Sequence, residues 1–391
     1  MNFSRLLRGP AGLIGMLAMI SGIELYVARH QERFMTHQAS AWKNVSRGFG
    51  DAAGCEVVAM GDSLVKHGVV SPVVERKLGH GRRAYNLALP GGSAPADYFL
   101  LRRMLSRGIK PRVILVDGEL LGVDPLSRAG VWPAFLNVRE LAEMSLAVRD
   151  ADYFLRTGLE LLLPTFRARA EIRQSVIAAP DGKFFEEYRS IVVLWRNWKR
   201  NGGSQVLPQR DDLAGPDPRT AELQQSNYAP GRWECAPLNA LYMNRFLNLA
   251  ARNGIDVVWL LPPVHPEVLA RRIRGGWASS HEDFVKGLQT KYHRLTIVSG
   301  WKANYPPAAL ADVTHLSRTG AIAYSDALGD YLRRKLDGEN PSRIVDLPRY
   351  DRSAAEALAA ASTVEDDHES GRILNRMNDQ RQARLKGPTR R

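Results

Sequence analysis

The sequence predicts an α/β fold, a three-layer doubly wound parallel sheet interrupted by a largely helical insertion. Three observations predict it. Five short apolar runs recur along the 391 residues, at 55–60, 84–89, 112–117, 255–261 and 294–300. They are near-continuously apolar and do not alternate with polar residues, as expected of strands buried on both faces of a parallel sheet. Helix-like stretches lie between and after them, at about 70–79, 95–107, 238–253, 281–290 and 317–335. Strand followed by helix, repeated, is the pattern of a doubly wound sandwich.

The first 34 residues stand apart. "MNFSRLLRGPAGLIGMLAMISGIELYVARH" places Arg5 and Arg8 before an apolar stretch from Ala11 to Ala28, interrupted by Glu24. That is close to the minimum length for crossing a bilayer. An acidic residue near one end can reach the interface. With no small-x-small cleavage site following, the segment reads as an uncleaved signal anchor; a buried amphipathic helix is the alternative. Arg29, Arg33, Lys43 and Arg47 follow it, and the positive-inside rule taken alone would keep the domain in the cytoplasm.

The first apolar run, "CEVVAM", stops abruptly at Gly61-Asp62-Ser63-Leu64. Gly-Asp-Ser is ordinary turn chemistry, and it is also a way to display Ser63 as a nucleophile. The turn falls at the carboxyl end of a strand, where doubly wound sheets bind ligands. A serine hydroxyl needs a base to take its proton, usually a histidine oriented by a carboxylate. Nine histidines are available. "ALADVTHLSRTGA" (309–321) offers Asp312 and His315 three residues apart, at the mouth of the helix expected at 317–335. One short turn can carry both side chains, with Asp312 on one imidazole nitrogen and Ser63 facing the other. Taken alone the pair would be a capped helix start, with Asp312 or Thr314 as the cap.

Between about 124 and 235 the strand–helix rhythm breaks. The interval is rich in Arg, Trp and Leu and reads as mostly helical, ending in a polar, proline-containing loop. It is either a lid or membrane-facing subdomain, or extra helices on the sheet. Residues 35–338 form the α/β domain with this insertion, and 339–391 read as a polar, flexible tail. The chain carries 54 basic and 41 acidic residues, and seven of the basic residues against one acidic lie in 372–391. The basicity is largely a property of the tail, so no nucleic-acid partner is expected. Two cysteines, Cys55 and Cys235, exclude a disulfide-rich scaffold and a cysteine-based zinc site. Neither G-x-G-x-x-G nor G-x-x-x-x-G-K occurs, so no cofactor or metal is expected.

Taken together, these motifs resemble those of the SGNH, or GDSL, hydrolase superfamily, whose fold is flavodoxin-like. Gly61-Asp62-Ser63-Leu64 matches its first block. "YNLALPGGSA" resembles the second, and by that match the N–H groups of Ser63 and Gly91 form the oxyanion hole. Asp312 and His315 match the closing D-x-x-H. The resemblance covers roughly 54–122 and 238–335. It departs at the third block, where "ILVDGELLGVDP" stands without the expected asparagine, a donor whose loss could cost about 3 kcal/mol in the transition state. Asp62, Asn86 and His265 (in "LLPPVHP") are the pocket candidates. The anchor and the degenerate third block look similar to membrane-anchored bacterial SGNH-like proteins of cell-surface polysaccharide acylation. The resemblance implies acyl transfer from an ester, with an acylated glycan as substrate, an extracytoplasmic domain and polysaccharide-assembly partners. The alternative is a decayed domain that binds glycan or organises an envelope complex.

Overall fold

The computed structural model describes residues 3–178, 180, 186–209, 231–339 and 342–386. The chain divides into two compact units. One comprises Met1–Lys43 and Arg128–Val192, the other Asn44–Ser127 and Val193–Arg391.

The second unit holds a six-stranded sheet: β1 (Val57–Ala59), β2 (Ala84–Asn86), β3 (Val113–Val116), β4 (Asp256–Leu261), β5 (Leu295–Ser299) and β6 (Ile344–Asp346). All neighbours are parallel, in the order β2-β1-β3-β4-β5-β6. Side chains alternate across a strand, so the apolar runs supply both faces. Val57, Ala59, Leu115, Val258 and Leu260 face a core shared with the helices Ser71–Leu78 and Arg318–Leu336. Trp259 points the other way, with its ring 6.4 Å from Phe284 on the helix Trp277–Lys291. On that side the helices Ala94–Ser106 and Pro237–Arg252 also pack together, Phe99 meeting Tyr242 edge-on at 5.4 Å. Helices therefore cover both faces. The helix Arg318–Leu336 fully buries Leu328 and Leu332, each contributing about 2–5 kcal/mol against truncation to alanine.

The five expected strands are present, each one to three residues shorter than its apolar run. The flexible tail expected from 339 is corrected. Its described part forms β6 and the helices Arg352–Ala360 and Asp367–Lys386, and Leu347, Ala359 and Val364 join the core. β6 escaped notice because it is a three-residue edge strand with two exposed side chains, so it leaves no apolar run.

The first unit is helical. Phe3–Arg29 is one 27-residue helix, and its portion Gly12–Arg29 is long and apolar enough to cross a membrane, the one such helix among the described residues. It could be an anchor or a signal sequence. Val138–Val148, Ala151–Leu162, Pro164–Arg167 and Arg169–Ala178 follow from the insertion. A capping box at Asn137 and Glu140 starts the first of these. Trp42 packs edge-on against Trp132 at 5.0 Å and Phe135 at 5.3 Å, while Val27, Phe34 and Ala168 form a second small core. The insertion is thus divided: 128–192 belongs with the N-terminal segment, and the chain from Val193 belongs with the sheet. Most of its polar loop, 210–230, lies outside the described residues.

Candidate active site

β1 lies between β2 and β3, so the chain reverses its winding direction there and opens a crevice at the carboxyl end of β1. Gly61 makes the turn out of the strand with φ +118°. A Cβ at that position would meet Asp117 Oδ1 at 2.3 Å, so both backbone and space require glycine. Asp62 caps the short helix Ser63–Gly68, its carboxylate accepting the Leu64 N–H at 2.7 Å. Ser63 is therefore fixed at the first position of a helix.

The other two residues come from a loop closed by the Leu310–Leu316 bridge just before the helix Arg318–Leu336. Its cap is Ser317, neither of the two residues expected. Asp312 Oδ1 accepts the N–H groups of Thr314 at 2.8 Å and His315 at 2.7 Å. Its Oδ2 lies 2.7 Å from His315 Nδ1, and His315 Nε2 lies 2.9 Å from Ser63 Oγ. A carboxylate can only accept, so His315 carries its proton on Nδ1 and leaves Nε2 to accept from the serine hydroxyl. Burial alone would lower the His315 pKa and raise that of Asp312. Their mutual hydrogen bond and charge attraction, with the backbone N–H groups on Asp312 and the nearby acids around His315, together outweigh it, holding the imidazole above its ordinary value and the carboxylate below its own.

The oxyanion-hole candidates also fall at this turn. Leu89 N–H donates to Gly61 O at 3.0 Å, and a Cβ on Gly92 would meet the same oxygen at 2.2 Å. That close approach brings Gly91 beside the serine turn. Among the described residues the N–H groups of Ser63 and Gly91 have no hydrogen-bond acceptor.

The pocket candidates each brace the backbone around the turn and its neighbouring loop. Asn86 is buried, its amide donating to the carbonyls of Val65 and Val69 at 2.9 Å each and accepting from Ala88 N–H. Asp62 is buried as the cap. His265 caps the helix Pro266–Arg274 and donates its N–H to Val313 O at 3.1 Å, so it steadies the Asp312–His315 loop from outside.

Three functional neighbours were missed. His67, one turn beyond Ser63, packs edge-on against His315 with centroids 4.9 Å apart, its Nδ1 3.0 Å from Gln205 O. Burial, then the charge of His315, pushes it down to about 3, so it is neutral. Asp117 Oδ1 accepts the Asp62 N–H and Asp97 Oδ1 the Gly61 N–H, both at 3.0 Å. Burial raises both acids, Asp97 to about 8 and Asp117 well above the usual range, where the Asp62 carboxylate adds to the effect. Acids spread along the chain carry no sequence pattern; only an i,i+4 test on "SLVKH" could have singled out His67. At the third block Glu119 forms a two-pronged pair with Arg272, which is buried and stacks 4.4 Å over Trp277.

Cys55 and Cys235 are free thiols, pushed by burial to about 11 and about 12. No protein-family model and no curated protein sequence matches this chain.

Proposed function

We propose that this protein is a membrane-anchored SGNH-type serine esterase or O-acyltransferase acting on acyl esters of cell-envelope or exported polysaccharide. The observation that carries the reading is the relay from Asp312 through His315 to Ser63, at 2.7 and 2.9 Å, beside two backbone N–H groups that have no acceptor among the described residues.

Ser63 Oγ attacks the ester carbonyl carbon as its proton passes to His315 Nε2, and Asp312 stabilises the imidazolium. The Ser63 and Gly91 N–H groups receive the negative oxygen of the tetrahedral intermediate. Collapse breaks the ester C–O bond, and His315 returns the proton to the leaving alkoxide, which departs as an alcohol. The acyl-Ser63 ester is then attacked by water, giving an esterase, or by a sugar hydroxyl, giving a transferase, with His315 again the base. An apolar helix at Gly12–Arg29 is consistent with anchoring at a membrane. An extracytoplasmic position suits envelope glycans and takes precedence over the positive-inside count.

A second reading has its own observation. Where the superfamily places an asparagine donor, this chain has a buried Asp117 that accepts the Asp62 N–H and a Glu119 held by Arg272, and neither is the side-chain amide that would donate to an oxyanion. A glycan-binding or scaffolding domain without turnover would tolerate that change.

The test is hydrolysis of p-nitrophenyl acetate by the full chain in detergent. Ser63→Ala and His315→Ala should each lower turnover by about a thousandfold or more. Turnover that persists in Ser63→Ala would reject the mechanism. Retained capture of envelope glycan with no turnover in the parent would favour the second reading.

A further inference from the structure

The helix Ala151–Leu162 has a buried side and an exposed one. Thr157 points inward and is buried, and Tyr153 on the same side reaches Met144. On the exposed side, Leu155, Leu159 and Leu162 follow at four- and three-residue spacing, exposed by 64, 49 and 71%. The exposed i,i+4 ion pair of Asp152 and Arg156 borders this stripe along one edge. Exposed leucines in register on one helix are not the random scatter of a water-facing surface. The stripe continues past the helix end in Leu163 and Phe166, both exposed.

The second observation places this stripe. Glu24 is the only acidic residue of the apolar N-terminal helix. Its carboxylate accepts both the N–H and the hydroxyl of Thr165. The turn Pro164–Arg167 therefore docks on that helix; it carries Phe166, and Leu162 and Leu163 lead directly into it. Val27, two residues before Arg29, packs with Ala168 in the same contact. Along the apolar helix, Ile20, Ile23 and Leu25 are themselves exposed. The end of the stripe is thus held against the apolar helix, and a side chain otherwise costly near lipid is met by two donors.

We propose that the stripe of Leu155, Leu159 and Leu162, with Leu163 and Phe166, is a lipid-facing surface. It holds the insertion in the interfacial layer of the bilayer that the N-terminal helix enters. Amphipathic helices lie in this way, with the apolar face some 5–10 Å into the headgroup boundary. The inference rests on reading the N-terminal helix as an anchor; it is independent of the chemistry at Ser63. The occupant is the bilayer because the end of the stripe is hydrogen-bonded to the one helix among the described residues that is long and apolar enough to span it.

The test uses the full chain reconstituted in phosphatidylcholine vesicles, in a Cys55→Ala, Cys235→Ser background. Single cysteines replace Leu155, Leu159, Leu162, Arg156 or Ile20 and carry an environment-sensitive NBD dye. Each variant is checked for an unchanged thermal unfolding transition, and the three leucine positions stand in for one another if one does not fold. With nitroxide-labelled lipids present, labels at 155, 159 and 162 should show blue-shifted emission and a roughly twofold loss of intensity, against little loss at 156. Quenching at 20 but not at the leucine positions overturns the inference and leaves the anchor intact. Absence of quenching at 20 as well removes the anchor reading and the inference with it. Blue-shifted leucine-site labels that lipids fail to quench mean that protein, not lipid, covers the stripe, and this also overturns the proposal.

Discussion

Asp312 fixes the direction in which His315 points, and it also sets the pH at which the imidazole can act. A general base must be neutral, and the His315 pKa is raised above 6.5 because the Asp312 hydrogen bond and the charge of that carboxylate, with smaller help from neighbouring acids, together outweigh burial. Activity should therefore climb with pH, its acid limb in kcat/KM lying above pH 6.5. In Asp312→Asn burial remains and the carboxylate does not, so the limb should move to lower pH. The rate should fall about 10³–10⁴-fold as the tautomer and the charge are lost; a pH–rate profile reads both. His67 makes a different contribution. Because it is neutral at working pH, His67→Phe should preserve the packing edge and leave the acid limb in place. His67→Ala, which opens space beside the imidazole, should lower kcat about tenfold with KM little changed, as expected of lost positioning. A limb that shifts in His67→Phe would mean that His67 itself titrates.

At the scale of elements, the serine turn depends on what β1, β2 and β3 bring to one point. Gly61→Ala would force a Cβ into Asp117 at a φ that alanine rarely adopts. It should cost on the order of 2–4 kcal/mol, read as a fall in the urea midpoint with an unchanged slope. The strands β1 to β5 were legible because each is buried on both faces and so must be apolar throughout. The Ser63 turn and the Asp312–His315 pair were legible because their chemistry is local to a few residues, and the order along the chain supplied the rest. The ring of Asp62, Asp97 and Asp117 was not. Asp97 lies in the first turn of Ala94–Ser106, where an acid is unremarkable, and only the fold carries it to Gly61. Asn86 and His265 looked like pocket residues because polar side chains at strand ends are common in sites; here each satisfies backbone groups.

For the molecule as a whole, the chain beyond 339 is a working part of the sheet unit. Leu347, Ala359 and Val364 share a core with Tyr324 and Leu332. Ending the chain at 339 should therefore lower the thermal transition and expose apolar surface, detectable by dye binding; an unchanged transition would contradict this packing. The buried acids add a pH dependence. Asp97 is raised from 3.8 to about 8, so its contribution to stability is full below about pH 4 and is lost as pH rises through 8. Asp97→Asn keeps an oxygen for the Gly61 N–H. It should gain on the parent over that window, by something on the order of a few kcal/mol at pH 8, measured by urea unfolding at pH 4, 6 and 8. The kinetic expectations for Asp312, His315 and His67 all depend on Ser63 being an activated nucleophile. The most direct measurement is fluorophosphonate labelling of the full chain, located by peptide mass spectrometry, with Ser63→Ala and His315→Ala alongside. The account predicts modification at Ser63 that is lost in both variants. A folded parent protein that stays unlabelled at Ser63, or labelling that survives in His315→Ala at the parent rate, would contradict it.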